Sequence, residues 1–268
     1  MENPHSILKK VFGYDSFRPG QEGIVSRLLA GQDVLAVMPT GAGKSICYQV
    51  PALLLPGITI VVSPLVSLMK DQVGALVQAG VAAAFLNNSL TDNQKALMLH
   101  RAREGWYKII YVAPERLEMP GFQRFAQERP ISMVTVDEAH CISQWGYDFR
   151  PSYLHIADIR DIKPDIPVLA LTATATGQVV DDIQKKLKFT EANVFRMSFE
   201  RKNLAYIVRH ATDKREQMIH ILRSVEGSAI VYVRSRKRAS EISDLLNQNN
   251  VEATYYHAGL EHSVKDER

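Results

Sequence analysis

A glycine-containing loop between an apolar run and a helical segment is the first stretch of this sequence that could do chemistry. The stretch reads VLAVMPTGAGKSICYQV, residues 34–50. Backbone N–H groups in such a loop can surround a phosphate, the lysine can reach the outer phosphates, and the serine hydroxyl can bind Mg²⁺. Met38 replaces the first glycine of the usual GxxxxGK[ST] pattern, and an ordinary glycine-rich turn is the alternative. The flanking strand and helix favour a nucleoside triphosphate site made of Thr40, Gly41, Ala42, Gly43, Lys44 and Ser45.

An acidic pair at the end of a second apolar run supplies the other half of such a site. The run ISMVTVDE, residues 131–138, ends in Asp137 and Glu138. Asp137 is expected to hold Mg²⁺ and Glu138 to orient and deprotonate the attacking water. Alone, such a pair is more often a solvated strand end; together with the phosphate loop it predicts triphosphate hydrolysis.

The loop that follows the acidic pair is unusually aromatic. The segment VTVDEAHCISQWGYDFRPSY, residues 134–153, contains Trp145, Tyr147, Phe149 and Tyr153. Aromatic rings in a loop indicate either a small local core or a flat ligand on which they stack. The small-core interpretation is strongest for Tyr153, which is expected to begin the next helix.

Short apolar runs alternate with amphipathic helical segments, and this alternation must position the candidate residues. It is typical of an α/β fold in which helices cover both faces of a parallel sheet. The predicted strands are rich in branched residues. They read DVLAVMP, GITIVVS, VAAAFL, YKIIYVA, ISMVTVD and VLALTAT.

The pattern restarts after Phe199 and predicts a second domain. NLAYIVRH, SAIVYVRS and EATYYHAG are the predicted strands of this segment. One helix is expected from about Asp213, and a second carries its apolar residues on one face at Ala239, Ile242, Leu245 and Leu246. Three strands and two helices are too few for a complete α/β domain. We therefore predict one domain over residues 1–200 and an incomplete second one over residues 201–268.

Composition limits the protein class but does not identify a partner. The 268 residues have 46% hydrophobic content, which suits about two globular domains of roughly 150 residues each. The 32 basic and 29 acidic residues leave a net charge of only +3. Two distant cysteines support neither a disulfide framework nor a zinc site. The amino-terminal residues lack a signal peptide and no apolar stretch is long enough for a membrane span, which predicts a soluble, cytoplasmic protein without membrane partners.

The order of the motifs resembles that of superfamily 2 helicases. MPTGAGKS, SPLVSLMKDQ, APERL, DEAH and LTATAT follow one another along the chain. FGYDSFRPGQ and DEAHCISQWGYDFRPSY resemble the RecQ family specifically, and the similarity covers essentially the whole chain. This resemblance implies a RecA-like fold, the cofactors ATP and Mg²⁺, and an ATP-dependent DNA helicase that moves 3′ to 5′ on DNA. It also implies single-stranded and partly duplex DNA as partners, a role in recombination and repair, and a nucleoid location in a bacterium.

The same resemblance implies roles for individual residues. Gln21 would pair with the adenine edge, while Tyr14 and Arg18 would stack on the two faces of the base. Bases of single-stranded DNA would stack on Trp145 or Phe149, and Arg150 would bind phosphate or bridge to the ATP site. The remaining implied residues have catalytic (Lys44, Asp137, Glu138, His140), coupling (Gln144, Tyr147, Thr172, Thr174) and DNA-binding (Ser63, Lys70, Arg116, Arg236) roles.

Some of these assignments have ordinary alternatives. Lys70 could be a surface charge, and Arg236 could belong to a solvated helix start. The family usually has histidine where this chain has Tyr147, which keeps an aromatic ring with a polar tip but removes a titratable group. The predicted coupling through this position is therefore open.

The family's arginine finger is expected beyond Arg268. Such a finger is typically worth about 10³–10⁵ in rate. We therefore expect a fragment of a longer enzyme that binds ATP but hydrolyses it poorly and does not unwind DNA by itself. The alternative from another class is a nucleotide-dependent single-stranded DNA-binding module without turnover. An RNA helicase of the DEAD-box type is disfavoured by the aromatic loop and by His140, where that type has aspartate.

Overall fold

The computed structural model describes residues 3–200 and 203–267. The chain divides into two compact units, residues 1–200 and 201–268.

One seven-stranded sheet forms the centre of the first unit. All six pairings between neighbouring strands are parallel, and the strands, numbered in chain order, have the spatial order 3-4-2-5-6-1-7. Six of the strands coincide with the predicted apolar runs, whereas the short seventh strand is not predicted. The strands are β1 Val34–Val37, β2 Ile58–Val62, β3 Ala83–Leu86, β4 Ile109–Val112, β5 Ile131–Val136, β6 Val168–Thr172 and β7 Val194–Arg196.

The described part of this unit has eight α-helices; the first two precede the first strand, and each of the other six connects consecutive strands. Side-chain caps and prolines fix several of their starts; Thr91, for example, forms a capping box with Gln94. The helices are α1 Pro4–Phe12, α2 Gln21–Leu29, α3 Ile46–Leu54, α4 Val66–Gln78, α5 Asp92–Arg103, α6 Pro120–Glu128, α7 Ile156–Ile162 and α8 Gly177–Lys186. Short 3₁₀ helices lie at Pro114–Arg116, Ala139–Ile142 and Pro151–His155.

Alternate residues of the buried strands face two different cores. In β1, Leu35 and Val37 contribute to a core with α5, α6, α7 and α8, whereas Val34 and Ala36 contribute to a core with α2, α3 and α4. This division follows from the two-residue period of a strand. The predicted parallel sheet with helices on both faces is confirmed.

A buried ion pair joins β1, β6 and α7 at the amino-terminal edge of the sheet. The Arg160 guanidinium donates hydrogen bonds to both carboxylate oxygens of Asp33, at 2.7 and 2.6 Å. The backbone N–H of Val168 donates to the same carboxylate at 2.9 Å. The pair lies at the opposite edge of the sheet from the candidate site, which is at the carboxyl ends of the strands.

The described part of the second unit contains helices and no strands. Its helices are α9 Lys214–Ser224, α10 Arg236–Gln248 and α11 His262–Glu267, so the two predicted helices are confirmed. The three predicted strands are wrong: residues 203–210, 228–235 and 252–259 have no strand pairing, and side chains such as Tyr206, Val208 and Tyr232 are about 90% exposed. Branched and aromatic residues favour strands only where a neighbouring strand can pair with them.

None of the helices in the described ranges has both the length and the apolar character that crossing a bilayer requires.

Candidate nucleotide and DNA site

The phosphate loop lies between β1 and α3, as the sequence predicts. Gly41 and Gly43 have φ values of 81° and 79°, a region that glycine enters without strain. Lys44 and Ser45 form the turn that leads into α3 and are half-buried. The buried hydroxyls of Tyr48, on α3, and Tyr111, on β4, hydrogen-bond at 2.8 Å and fix the helix on the sheet. Strand, loop and helix thus have the arrangement that a nucleotide phosphate requires.

The first residue of α2 holds the phosphate loop directly. The buried Gln21 side chain donates to the carbonyls of Ala42 at 3.1 Å and Gly43 at 3.0 Å, and its oxygen accepts from the Arg18 N–H at 2.8 Å. A Cβ at Gly43 would lie 2.5 Å from the Gln21 amide nitrogen.

This contact differs from the predicted adenine contact of Gln21. Both amide donor directions of Gln21 point to the loop in the described conformation, and the Arg18 guanidinium donates to the Gly41 carbonyl. Tyr14 is about half exposed. Base contacts by Gln21 and Arg18 therefore require these bonds to be exchanged when a nucleotide binds.

The acidic pair follows β5, next to the loop. Burial and the neighbouring Glu138 charge raise the pKa of Asp137, while a hydrogen bond from His140 lowers the pKa of Glu138. The Lys44 charge favours the ionised form of both carboxyls. Glu138 has a φ of 49°, which is uncommon outside glycine and typical of strained functional positions. Glu138, with its uncommon backbone conformation, thus lies beside the buried Asp137 carboxylate at the end of a central strand.

His140 connects the acidic pair to the loop after β6. Its Nδ1 lies 3.1 Å from the Thr172 hydroxyl and 3.3 Å from the Glu138 carboxylate. Hydrogen bonding with Cys141 and with Glu138 raises the pKa of His140 to about 9, which favours the charged imidazolium beside the Glu138 carboxylate. The backbone N–H of the exposed Thr174 donates to the Thr172 hydroxyl at 3.1 Å. The predicted meeting of His140 with the threonine loop is present through Thr172.

Ser45 and Asp137 offer donors that suit Mg²⁺. This ion prefers oxygen ligands and is commonly held by one or two protein groups plus water and substrate phosphates. A buried carboxylate whose pKa is raised by burial and a like charge is a favourable position for a divalent cation. In the described residues, no cluster of three His, Cys, Asp or Glu side chains could hold a metal, so phosphate oxygens would have to complete the coordination.

The aromatic loop, residues 143–150, presents its rings to solvent. Trp145 is 66% and Tyr147 98% exposed. Arg150 forms two hydrogen bonds with the Asp148 carboxylate, at 3.0 and 2.8 Å. Phe149 is half-buried under the Lys186 ammonium, 5.6 Å from the ring centroid. The exposed rings of Trp145 and Tyr147, in the same loop as the positive charge of Arg150, suit a single-stranded nucleic acid.

Tyr153 differs from the other aromatic residues of this segment, as predicted. It is fully buried in the 3₁₀ helix Pro151–His155, and its hydroxyl donates to the Asp137 carbonyl at 3.0 Å. Sequence reasoning did not identify this support for the acidic pair. The sequence signal that could have identified it is the position of Tyr153 in the segment that follows the acidic pair.

The remaining predicted residues differ in how exposed they are and in what they contact. Ser63 is buried at the end of β2, which leaves its hydroxyl no access to DNA in this conformation. Lys70, on α4, and Gln144 are exposed, and Arg116 donates to the Asn88 side chain. Arg236 is exposed at the start of α10 in the second unit.

Comparison with known proteins supports the assignment that this geometry suggests. Residues 18–183 match a family model described as DEAD/DEAH box helicase. The chain belongs to the DEAD/DEAH box helicase family. It is 42% identical over 262 residues to the ATP-dependent DNA helicase RecQ of Haemophilus influenzae and 43% identical over 272 residues to that of Bacillus subtilis. These alignments cover 97% and 100% of this chain and confirm the RecQ resemblance of the motifs.

The chain spans less than half of these helicases, 42% and 46% of their lengths. Solved structures support the fold of this helicase-family chain. The helicase MrfA bound to DNA has a TM-score of 0.71 at 14% identity, covering 100% of this chain and 42% of that one. A hypothetical ATP-dependent RNA helicase from Sulfolobus tokodaii has a TM-score of 0.58 at 19% identity, covering 100% and 78%. The RecA-like fold is therefore confirmed.

Proposed function

We propose that this chain binds ATP–Mg²⁺ and single-stranded DNA as part of an ATP-dependent DNA helicase of the RecQ type. One observation carries this proposal: the hydrogen-bonded path from Glu138 through His140 to Thr172 lies beside an exposed aromatic loop. A nucleotide site and a DNA-binding surface that share one short segment can influence each other.

The residues of this site suit particular steps of triphosphate hydrolysis. Backbone N–H groups around Gly41 and Gly43 hold phosphate, with Lys44 on the outer phosphates. Bound Mg²⁺ would be held by Ser45 and Asp137 and would neutralise charge on the phosphates. Glu138 orients and deprotonates water, and His140, whose Nδ1 lies 3.3 Å from the Glu138 carboxylate, holds that carboxylate in place.

The residues proposed to bind DNA can stack on any base and contact any phosphate, so they do not distinguish one DNA sequence from another. Trp145 and Tyr147 offer faces on which bases can stack, at about 1–3 kcal/mol for each base. Arg150 and Lys70 supply positive charge for phosphate. Movement 3′ to 5′, partly duplex substrates, a role in recombination and repair, and a location at cellular DNA are proposed from the similarity to the RecQ helicases.

The test combines binding and hydrolysis in the same preparation. ATP hydrolysis and oligo-dT binding are measured for the wild type, Glu138→Gln and Trp145→Ala, with oligo-rU as the RNA control. The proposal predicts that Glu138→Gln binds nucleotide but loses hydrolysis, and that Trp145→Ala weakens DNA binding. Stronger stimulation by RNA would refute the DNA assignment. Binding of both ligands without turnover would identify a nucleotide-dependent DNA-binding module, and the same data test the expectation of slow turnover by this chain alone.

A further inference from the structure

Helix α8 contacts the beginning of the aromatic loop through one carboxylate. The Ser143 hydroxyl donates to the Asp182 carboxylate at 2.6 Å, and the Trp145 N–H donates to the Ser143 oxygen at 3.2 Å. Ser143 is fully buried, and Asp182 is mostly buried. Charge-assisted hydrogen bonds of this kind are short and strong. The carboxylate therefore fixes the backbone from which the exposed Trp145 projects.

The same face of α8 also reaches the end of the loop. Lys186 lies one helical turn after Asp182 and forms an ion pair with it at 3.2 Å. Its ammonium donates to the Ile142 carbonyl at 3.0 Å and lies over the Phe149 ring. Two residues of one helix thus hold the loop before Trp145 and after Tyr147.

The other end of α8 joins the threonine loop that contacts His140. Thr176 caps α8 by accepting from the Val179 N–H, two residues after Thr174. Along its length, α8 packs through buried residues such as Val179 and Ile183 into the core that also contains Ala139. A rigid helix therefore connects the residues around His140 with both ends of the aromatic loop.

We infer that Asp182 and Lys186 are positioning residues that transmit DNA contact at the aromatic loop to the nucleotide site through α8. This inference rests on the proposed function and adds residues outside the motifs described above. Neither residue touches the reacting atoms, so their removal changes the coupling between the two ligands and leaves nucleotide binding in the absence of DNA unchanged.

The first experiment measures coupling as a ratio of affinities. The Kd of a fluorescent ATP analogue is determined with and without saturating oligo-dT for the whole chain. We expect a ratio of about 5 or more for the wild type, in the usual range for linked sites, and a ratio below about 2 for Asp182→Asn. The Kd without DNA should stay within about twofold of the wild-type value. Asp181→Asn, an exposed neighbour on the same helix, is the matched control and should keep the wild-type ratio.

A double-mutant cycle separates positioning from a general loss of stability. Ser143→Ala removes the other partner of the hydrogen bond with Asp182 and also the acceptor of the Trp145 N–H, so it should lower the ratio at least as much as Asp182→Asn does. The combined variant should lose no more than Ser143→Ala alone, because both changes disrupt the same Ser143–Asp182 contact. Additive losses would overturn the inference.

A spectroscopic readout tests the loop without any ligand. In a Trp106→Phe background, Trp145 is the single tryptophan of the chain, which contains two. We expect Asp182→Asn to make Trp145 more accessible to acrylamide, with a quenching constant raised by roughly half or more, whereas Asp181→Asn does not. An unchanged quenching constant would overturn the inference.

The two proposals fail in different ways. If DNA shifts nucleotide affinity in the wild type and equally in Asp182→Asn, only the role of α8 is refuted. If the wild type binds no oligo-dT, the proposed function is refuted and the coupling role falls with it.

Discussion

The buried pair Asp33–Arg160 allows the sharpest test of the fold. We predict that Asp33→Ala lowers the free energy of unfolding of the first unit by about 3–5 kcal/mol. That is the typical cost of leaving one buried charge without its partner. The substitution removes two hydrogen bonds with Arg160 and the acceptor of the Val168 N–H, so the upper part of the range is expected.

The assay is urea unfolding followed by tryptophan fluorescence. Trp106 and Trp145 both belong to the first unit, so the signal reports on that unit alone. Asp165→Ala, an exposed acidic residue near the same edge, is the control and should change stability by less than about 0.5 kcal/mol. The double variant Asp33→Leu with Arg160→Leu should recover at least half of the loss, because no charge then remains buried. A loss below about 1 kcal/mol for Asp33→Ala, at an unchanged m-value, would show that the pair does not stabilise the fold in this way.

Three further predictions concern the candidate site. Gly146→Ala should weaken oligo-dT binding about tenfold or more in an anisotropy titration, because a Cβ there would lie 2.3 Å from the His140 carbonyl oxygen. Gly177→Ala, where the added Cβ meets open space, is the control and should bind as the wild type does. Tyr153→Phe should lower stability in urea by about 0.5–1.5 kcal/mol through loss of one buried hydrogen bond, and an unchanged midpoint would contradict that bond. Cys47 and Cys141 should not react with Ellman's reagent at pH 8 until the protein is unfolded, because both are buried and burial raises the pKa of Cys47 to about 12; rapid labelling of the native protein would contradict this.

The sequence predicts the first unit well because its strands are contiguous apolar runs. Six buried strands of four to six residues stand out from their helical neighbours. The three-residue strand Val194–Arg196 does not, since it carries too few residues to show a period. In the second unit the same pattern predicts strands that are absent, because strand formation depends on a pairing partner that local sequence does not reveal.

The candidate site shows a similar division between local and distant signals. Motif residues such as Lys44 and Glu138 can be predicted because their chemistry lies in a short continuous stretch. The contact of Gln21 with the phosphate loop and the contact of Asp182 with Ser143 join residues 21 to 39 positions apart. Such contacts are decided by tertiary packing, which one sequence without structure does not give.

If the nucleotide site and the aromatic loop act together, a nucleotide titration of the wild type will show it. The Kd of a fluorescent ATP analogue in the presence of Mg²⁺ is measured with no nucleic acid, with saturating oligo-dT, and with oligo-dT for Trp145→Ala. We expect DNA to change the wild-type Kd by about fivefold or more, and Trp145→Ala to abolish this change while keeping the Kd without DNA. Identical Kd values with and without oligo-dT in the wild type, under conditions where DNA is bound, would contradict this expectation.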